Sequence, residues 1–486
     1  MSENAALGVN VRVAPFDMLD ILALDISAAP NEHATATVRG TIDEDAESGY
    51  LSLARSGTTV TVSLLGDDGS PLILFAGMIS EMELSESNGL KVLDLRLIAG
   101  TGAMDAAEHT RTYQNASLTY RDLLSSLGYY PDYSFSMRIG EGAAIGDLIT
   151  QFKETDWEFV KRLASHFNGC VVPDYVSGGV GYYFGLPYRS SGAVVDASHY
   201  KAVKGVAEYM DKAGAGVGGL SEGDALCFAV RDRAVYRVGE EVRFMNRPMR
   251  VFSVRSVLEG QLLQNYYILK SEAGAGIKKA WNFKLVGASL AGVVTAVRKD
   301  MIQMRVYEDN DNYGTGAKWF HYSTVYSSPD GTGWYAMPEP GDELRLYFPS
   351  EKESEAYAIS AVNVDTPGMG EGNAPPSPGI LPLVSPRTEP NVKTMINKDL
   401  KEVSLYPDKI VMTNNKDMMI VVDDAEGIII QSAKKVTFKS DESISLDSAE
   451  AELSMIGSDK VSVTVGGTKV TFDADAQFEG STVHMQ

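Results

Sequence analysis

Residues 441–472 read DESISLDSAEAELSMIGSDKVSVTVGGTKVTF. Apolar and polar residues alternate along the stretch, which is the period of a strand, and no proline interrupts it. The pattern continues on both sides. Apolar clusters begin at Ile428, Val436, Ile444, Leu453, Val461, Val470 and Phe478, eight or nine residues apart. Short polar links such as SAK, SDES and GSDK separate them. Strands this short bury little within one chain, and their edges stay open for pairing. The links are too short for a full turn of a single-chain solenoid. Identical chains wound about one axis remove both difficulties: each forms one side of a prism, apolar side chains point inward, and the next chain covers each edge. An ordinary sandwich would need hairpin turns, and VGGT at 465–468 is the one strong hairpin signal in the repeat. Val436, Ile444, Val461, Val463, Val470 and Phe472 are therefore expected in a dry core, with Asp441, Glu442, Asp447, Glu450 and Asp459 hydrated outside.

Composition limits the function. The chain has 486 residues, more than one core normally serves. Its formal net charge of -22 repels nucleic acid and anionic membrane. Two cysteines, Cys170 and Cys227, do not make a disulfide framework. The first residues lack the basic start and apolar run of a signal peptide, and no apolar run reaches the length of a membrane span. Synthesis in the cytoplasm is the expectation.

Ahead of the repeat the chain reads as mainly β. Residues 9–100 hold strand patterns broken by glycine, asparagine and aspartate, with GDDGSP at 66–71 as a turn. The period then lengthens. SLTYRDLLSSLG at 117–128 reads as a helix, GAAIGDLITQF at 142–152 as a second short one, and TDWEFVKRLASHFNG at 155–169 as the clearest. In the last, Thr155 and Glu158 form a capping box, and Trp157, Phe159 and Leu163 belong to the buried face. Strand patterns return from 171 to about 280. Residues 286–364 offer five short strands, which suits a closed barrel of the oligonucleotide-binding type. Its aromatics invite a base-stacking reading, but Glu339, Asp342, Glu343, Glu351, Glu353 and Glu355 oppose it. Trp319 and Trp334 are instead expected in the barrel core or against a neighbouring chain. A segment rich in proline and glycine follows at 365–390. The divisions are thus a first β domain at 1–110, a helical segment at 111–170, a second β domain at 171–285, the barrel at 286–364, the linker at 365–390 and the needle at 391–486.

Three segments in this order resemble one family. FKETDWEFVKRLASHFNG is similar to the helical stretch of VgrG-type spike proteins of type VI secretion and of phage tail hubs. LAGVVTAV, with WFHYSTVYSSPDGTGWYAMPEPGDELRLYF, resembles their small barrel, and the repeated tail resembles their triple-stranded β-helix. The resemblance implies tube-like β-barrel hub domains with a small helical insert, an oligonucleotide-binding-type barrel and an intertwined C-terminal β-helix. It implies a homotrimer at the centre of a contractile injection machine. There it would match a sixfold inner tube to a threefold needle that punctures an envelope, and would contact inner-tube and baseplate proteins and, transiently, the target envelope. The protein would be made in the cytoplasm, assembled in the particle and delivered outside the cell on firing. Some relatives end in a histidine pair that binds metal; here His484 is the one histidine near the end. A separate tip protein of the PAAR-repeat kind is the expectation, with no cofactor and no catalytic residue. The competing reading is a tail-associated peptidoglycan or polysaccharide hydrolase. Its two carboxylates can be chosen from 65 acidic residues with no pattern to guide the choice.

Overall fold

The structure is a computed structural model. It describes residues 10–308, 318–328, 334–359 and 390–472, apart from 56, 67–68, 88, 196–197, 398, 449–453, 457–460 and 466–467. Two compact units divide the chain, at 1–364 and 365–486.

Alternation builds the first unit. In Thr35–Ile42, Ala36, Val38 and Ile42 point into the core while Thr35, Thr37 and Arg39 face out. Thr59–Leu65 and Pro71–Ser87 form a hairpin. The Gly66 amide donates to the Ser70 carbonyl at 2.9 Å, as the GDDGSP turn requires. The resulting sheet has twelve strands. Its main path runs Val11–Ala14, Thr59–Leu65, Pro71–Ser87, Leu90–Ile98, Thr35–Ile42, Asp20–Ala28, Arg247–Glu259, Leu262–Lys270, Leu226–Asp232 and Tyr200–Lys204. Strands from 1–110 and from 171–285 therefore share one sheet. The seam is the antiparallel pairing of Asp20–Ala28 with Arg247–Glu259, closed outside by an Arg255–Asp25 ion pair at 2.6 Å.

Four α-helices lie among the described residues of this unit: α1 (Glu47–Leu53), α2 (Tyr120–Ser125), α3 (Asp156–Ser165) and α4 (Val206–Gly214). The sequence reading has strands alone where α1 and α4 stand. Neither helix buries a residue; α1 has no apolar stripe, and α4 has one, Val206, Tyr209, Met210 and Ala213, that the strand reading passes over. The expected short helix within 142–152 is instead a strand, Ile149–Thr155, paired with Glu108–Tyr113. Gly146 takes a left-handed φ of 75°, and Ile149, Thr150 and Gln151 are all buried, so the segment is covered on both faces. Gly146 breaks the helical run, and the ladder with Glu108–Tyr113 supplies the backbone partners.

α3 carries the second core. Thr155 accepts from the Glu158 amide, and the Glu158 carboxylate accepts from the Thr155 amide. Trp157, Phe159 and Leu163 are 1%, 0% and 0% exposed. Asn168 turns left-handed at φ 55°, and Gly169 donates back to the Ala164 carbonyl at 3.1 Å, which ends the turn. Leu163→Ala should destabilise this unit by about 3 kcal/mol, a Leu-to-Ala cavity in a closed core. Denaturant unfolding followed by tryptophan emission checks it; a loss below about 1 kcal/mol would mean the core is loosely packed.

The barrel has the strand order Phe320–His321, Met301–Val306, Ser289–Arg298, Glu343–Tyr347 and Tyr357–Ile359. Its ends meet where Tyr322 bridges Ala358 and the Ser323 amide donates to the Ala358 carbonyl at 2.8 Å. The PEPGDE element pins one side. Gly341, at φ 99°, donates to the Val294 carbonyl and Asp342 accepts from the Val294 amide, both at 2.9 Å. Phe320, Leu344, Leu346 and Phe348 fill the interior.

The second unit is built from short strands. Its described strands pair within the chain. Lys393–Ile396, Glu402–Leu405, Lys409–Thr413, Met418–Asp423 and Gly427–Ser432 form an antiparallel meander, and Val461–Val465 with Thr468–Phe472 form a hairpin. The physical reason lies in the turns. Leu400, Asn415, Asp417 and Gly427 all take left-handed φ, so the links at these four residues reverse the chain instead of carrying it forward.

Candidate assembly surface

The meander places its apolar residues by register. Met395 pairs with Val403, Val403 with Met412, Met412 with Ile420 and Ile420 with Ile430. The neighbouring row joins Leu405, Ile410, Val422 and Ile428. Cross-strand partners point to one side of a sheet, so these nine side chains share a face. Most of it is bare: Met412 is 49% exposed, Ile420 42%, Ile430 48% and Leu405 47%. The opposite face keeps Val411 and Val421 at 2% and 6%. A hollow of ≈ 800 Å³ opens on the bare face, lined by Met395, Val403, Met412, Ile420, Ile430 and Val436 among others. A contiguous apolar face of this kind on a chain this acidic marks a contact surface.

The residues expected in the needle core also stand uncovered in the single chain. Val436, Ile444 and Val463 are 45%, 54% and 49% exposed, and Val461 is partly covered. Val470 lies opposite Val463 in the hairpin and Phe472 opposite Val461. The side chains of Val470 and Phe472 lie outside the described residues, as does His484. In the barrel, Trp319 is half-buried beneath the Arg298 guanidinium, 4.4 Å from the ring centre. Trp334 differs from the core expectation within this chain: it is 59% exposed, because the barrel interior is already filled. Val325, Tyr326 and Tyr335 are exposed near it in sequence.

The polar clusters look structural. Asp156, at the first turn of α3, is fully covered and receives Arg111 at 2.8 Å, Gln151 at 2.9 Å, Tyr130 at 2.7 Å and Tyr129. Burial pushes its pKa up, but these hydrogen bonds and the Arg111 charge outweigh it and hold the carboxyl below its ordinary value. A carboxylate so engaged and kept ionised has neither a proton to donate nor a free lone pair aimed at a substrate. Cys170 is buried, which pushes its thiol up to about 12. Among the described residues no group of three or more His, Cys, Asp and Glu side chains is placed to hold a metal. No described helix is long and apolar enough to cross a membrane. The sequence reading missed the ion cluster around Arg162, whose partner Glu353 lies 191 residues away, a separation that no local pattern reports.

No family profile matches the sequence, and no curated protein matches it. Solved structures do. The E. coli c3393 protein is described as a component of the type VI secretion system with structural similarity to the T4 bacteriophage tail proteins gp27 and gp5. It superposes with a TM-score of 0.50 at 11% identity, over 72% of this chain and 99% of that one. A chain of the half-lidded Francisella PdpA–VgrG complex superposes at 0.53 with 8% identity, over 87% of each chain. One from the lidless PdpA–VgrG complex gives 0.53 at 9% identity, over 84% of this chain and 93% of that one. At these identities the likeness is one of fold: the chain has the mainly β fold of VgrG-type and gp27/gp5-like tail proteins.

Proposed function

We propose, from this hub-and-spike fold, that the protein is the central hub and spike of a contractile injection machine. Three copies would assemble about one axis. The large sheet of each chain would contribute to a hub that adapts a sixfold inner tube. The tail sheets would close their bare faces against one another as a threefold needle. We adopt the domain division 1–110, 111–170, 171–285, 286–364, 365–390 and 391–486 as part of this proposal. The observation that carries it is the apolar face of 395–430, which a lone chain leaves in water. Apolar area in that position is stabilised only by a partner.

Such a protein turns nothing over; its work is to hold shape and transmit thrust. Its partners would be inner-tube and baseplate proteins and a small separate tip protein, with transient contact to a target envelope. It would be made in the cytoplasm and leave the cell within a particle. Sedimentation of the full chain tests the core of this reading. A trimer should persist at micromolar concentration, and a monomer there would remove the needle.

A further inference from the structure

The barrel sits on α3 through a buried ion cluster that the injection role does not by itself require. The Arg162 side chain is 3% exposed. Its Nε and Nη2 donate to the two oxygens of Glu154, both at 2.8 Å. Nη2 also donates to the Thr150 carbonyl at 2.7 Å. Nη1 crosses to the barrel and donates to Glu353 at 2.9 Å. Glu154 and Glu353 are themselves 8% and 10% exposed. Around this centre the joint is mostly apolar, with a partly exposed Lys318–Asp147 ion pair at its edge. Leu148, from just before the strand Ile149–Thr155, belongs to the barrel core, and Phe152 packs against it. Gln114 and Asn282 each donate one bond across the joint or its connector, to the carbonyls of Met304 and Phe152.

Apolar contact is non-directional, so Leu148 and Phe152 hold the barrel close without fixing its rotation. A guanidinium has a rigid fork of donors. Here that fork is filled on one side by the strand and α3 segment and on the other by the barrel. Burying these charges is costly, and a well-packed apolar replacement of a buried ion group often folds as stably or more so. Stability alone therefore does not account for the cluster.

We infer that Arg162 is a positioning residue that sets the orientation of the barrel on the helical segment, through its simultaneous bonds to Glu154 and Glu353. The connector 271–288 is the part this setting restrains. Its Ile277 amide donates to the Asn168 carbonyl at 2.9 Å and its Ala280 amide to Ser165 Oγ at 2.8 Å, both at the C-terminal end of α3. The inference stands on the joint alone and is independent of the number of chains in the assembly.

The test is hydrogen exchange on the full chain, read beside its unfolding midpoint. The triple variant Arg162→Met, Glu154→Leu, Glu353→Leu replaces every charge of the cluster by a side chain that needs no partner. Its midpoint should equal or exceed that of the parent, while the Ile277 and Ala280 amides exchange at least tenfold faster. The milder Glu353→Met keeps the volume but removes the acceptor of Arg162 Nη1, and should show the same local loss, with the α2 amides unchanged. A midpoint that falls together with protection across the whole unit would make the cluster a stability element and overturn the inference. Unchanged exchange at Ile277 and Ala280 in either variant would overturn it too, since apolar packing would then set the joint.

Discussion

Ile420→Asp should leave a folded single chain that no longer forms a trimer. Ile420 sits at the middle of the meander, flanked by Met412 and Ile430 on the bare face, and is 42% exposed. In an isolated chain Ile420 is partly covered by Met412 and Ile430 and aspartate is a poor strand former, so the change should cost about 1 kcal/mol locally and leave the meander folded. In the proposed needle the same position enters the interface three times. Burying an unpaired carboxylate costs several kcal/mol or more, and three carboxylates about one axis repel each other besides. The trimer should then be lost at micromolar concentration. Val421→Asp is the control. Val421 is 6% exposed on the other face, so this change should unfold the meander in any oligomeric state. Sedimentation and limited proteolysis of both variants separate the two effects. A trimeric Ile420→Asp protein would show that the bare face points to water, and the needle reading would lose its support.

Much of the first unit was legible because its signals are local. The Thr155–Glu158 box announces α3, and the GDDGSP turn announces its hairpin. The PEPGDE element carries its own turn, with glycine where a left-handed φ is needed. The tail was legible as strands. Its apolar period of eight or nine residues fits a winding strand and a meander equally well. The turns of the meander, at Asn415, Asp417 and Gly427, stand ahead of the repeat that begins at Ile428. The seam between Asp20–Ala28 and Arg247–Glu259 and the Arg162–Glu353 bond join residues far apart in sequence. Pattern within a window carries no trace of such pairs. For Trp334 only the core branch of the expectation is set aside, since Phe320 and Phe348 take the interior volume; its 59% exposure in one chain leaves it free to meet a neighbouring chain.

Acidification should weaken the first unit well before its carboxylates titrate, because of His166. This side chain caps the C-terminal end of α3, with Nδ1 2.7 Å from the Tyr120 hydroxyl. Burial, then the charges of Arg162 and Lys279, lower its pKa to about 3. The groups facing it are Tyr120 from α2, Arg162 from α3 and Lys279 from the connector; the Glu353 carboxylate of the barrel lies beyond Tyr120 and Arg162. In the unfolded chain the same histidine titrates near 6.5. Between these values the unfolded state holds a proton that the folded state does not. Stability is therefore intact above pH 6.5 and falls as pH drops toward 3, by about 5 kcal/mol over the whole window if only this group acts. His109 has a pKa lowered in the same direction by burial and adds to the slope. Asp156, held below its ordinary value, gives up its contribution only at lower pH. His166→Gln keeps a polar partner for Tyr120 and cannot take the proton. Unfolding midpoints measured from pH 7 to 4.5 should fall steeply for the parent and less steeply for the variant, the gap widening toward acid. Parallel curves would mean that the folded chain admits the proton at His166, and that the site is wetter than its burial implies.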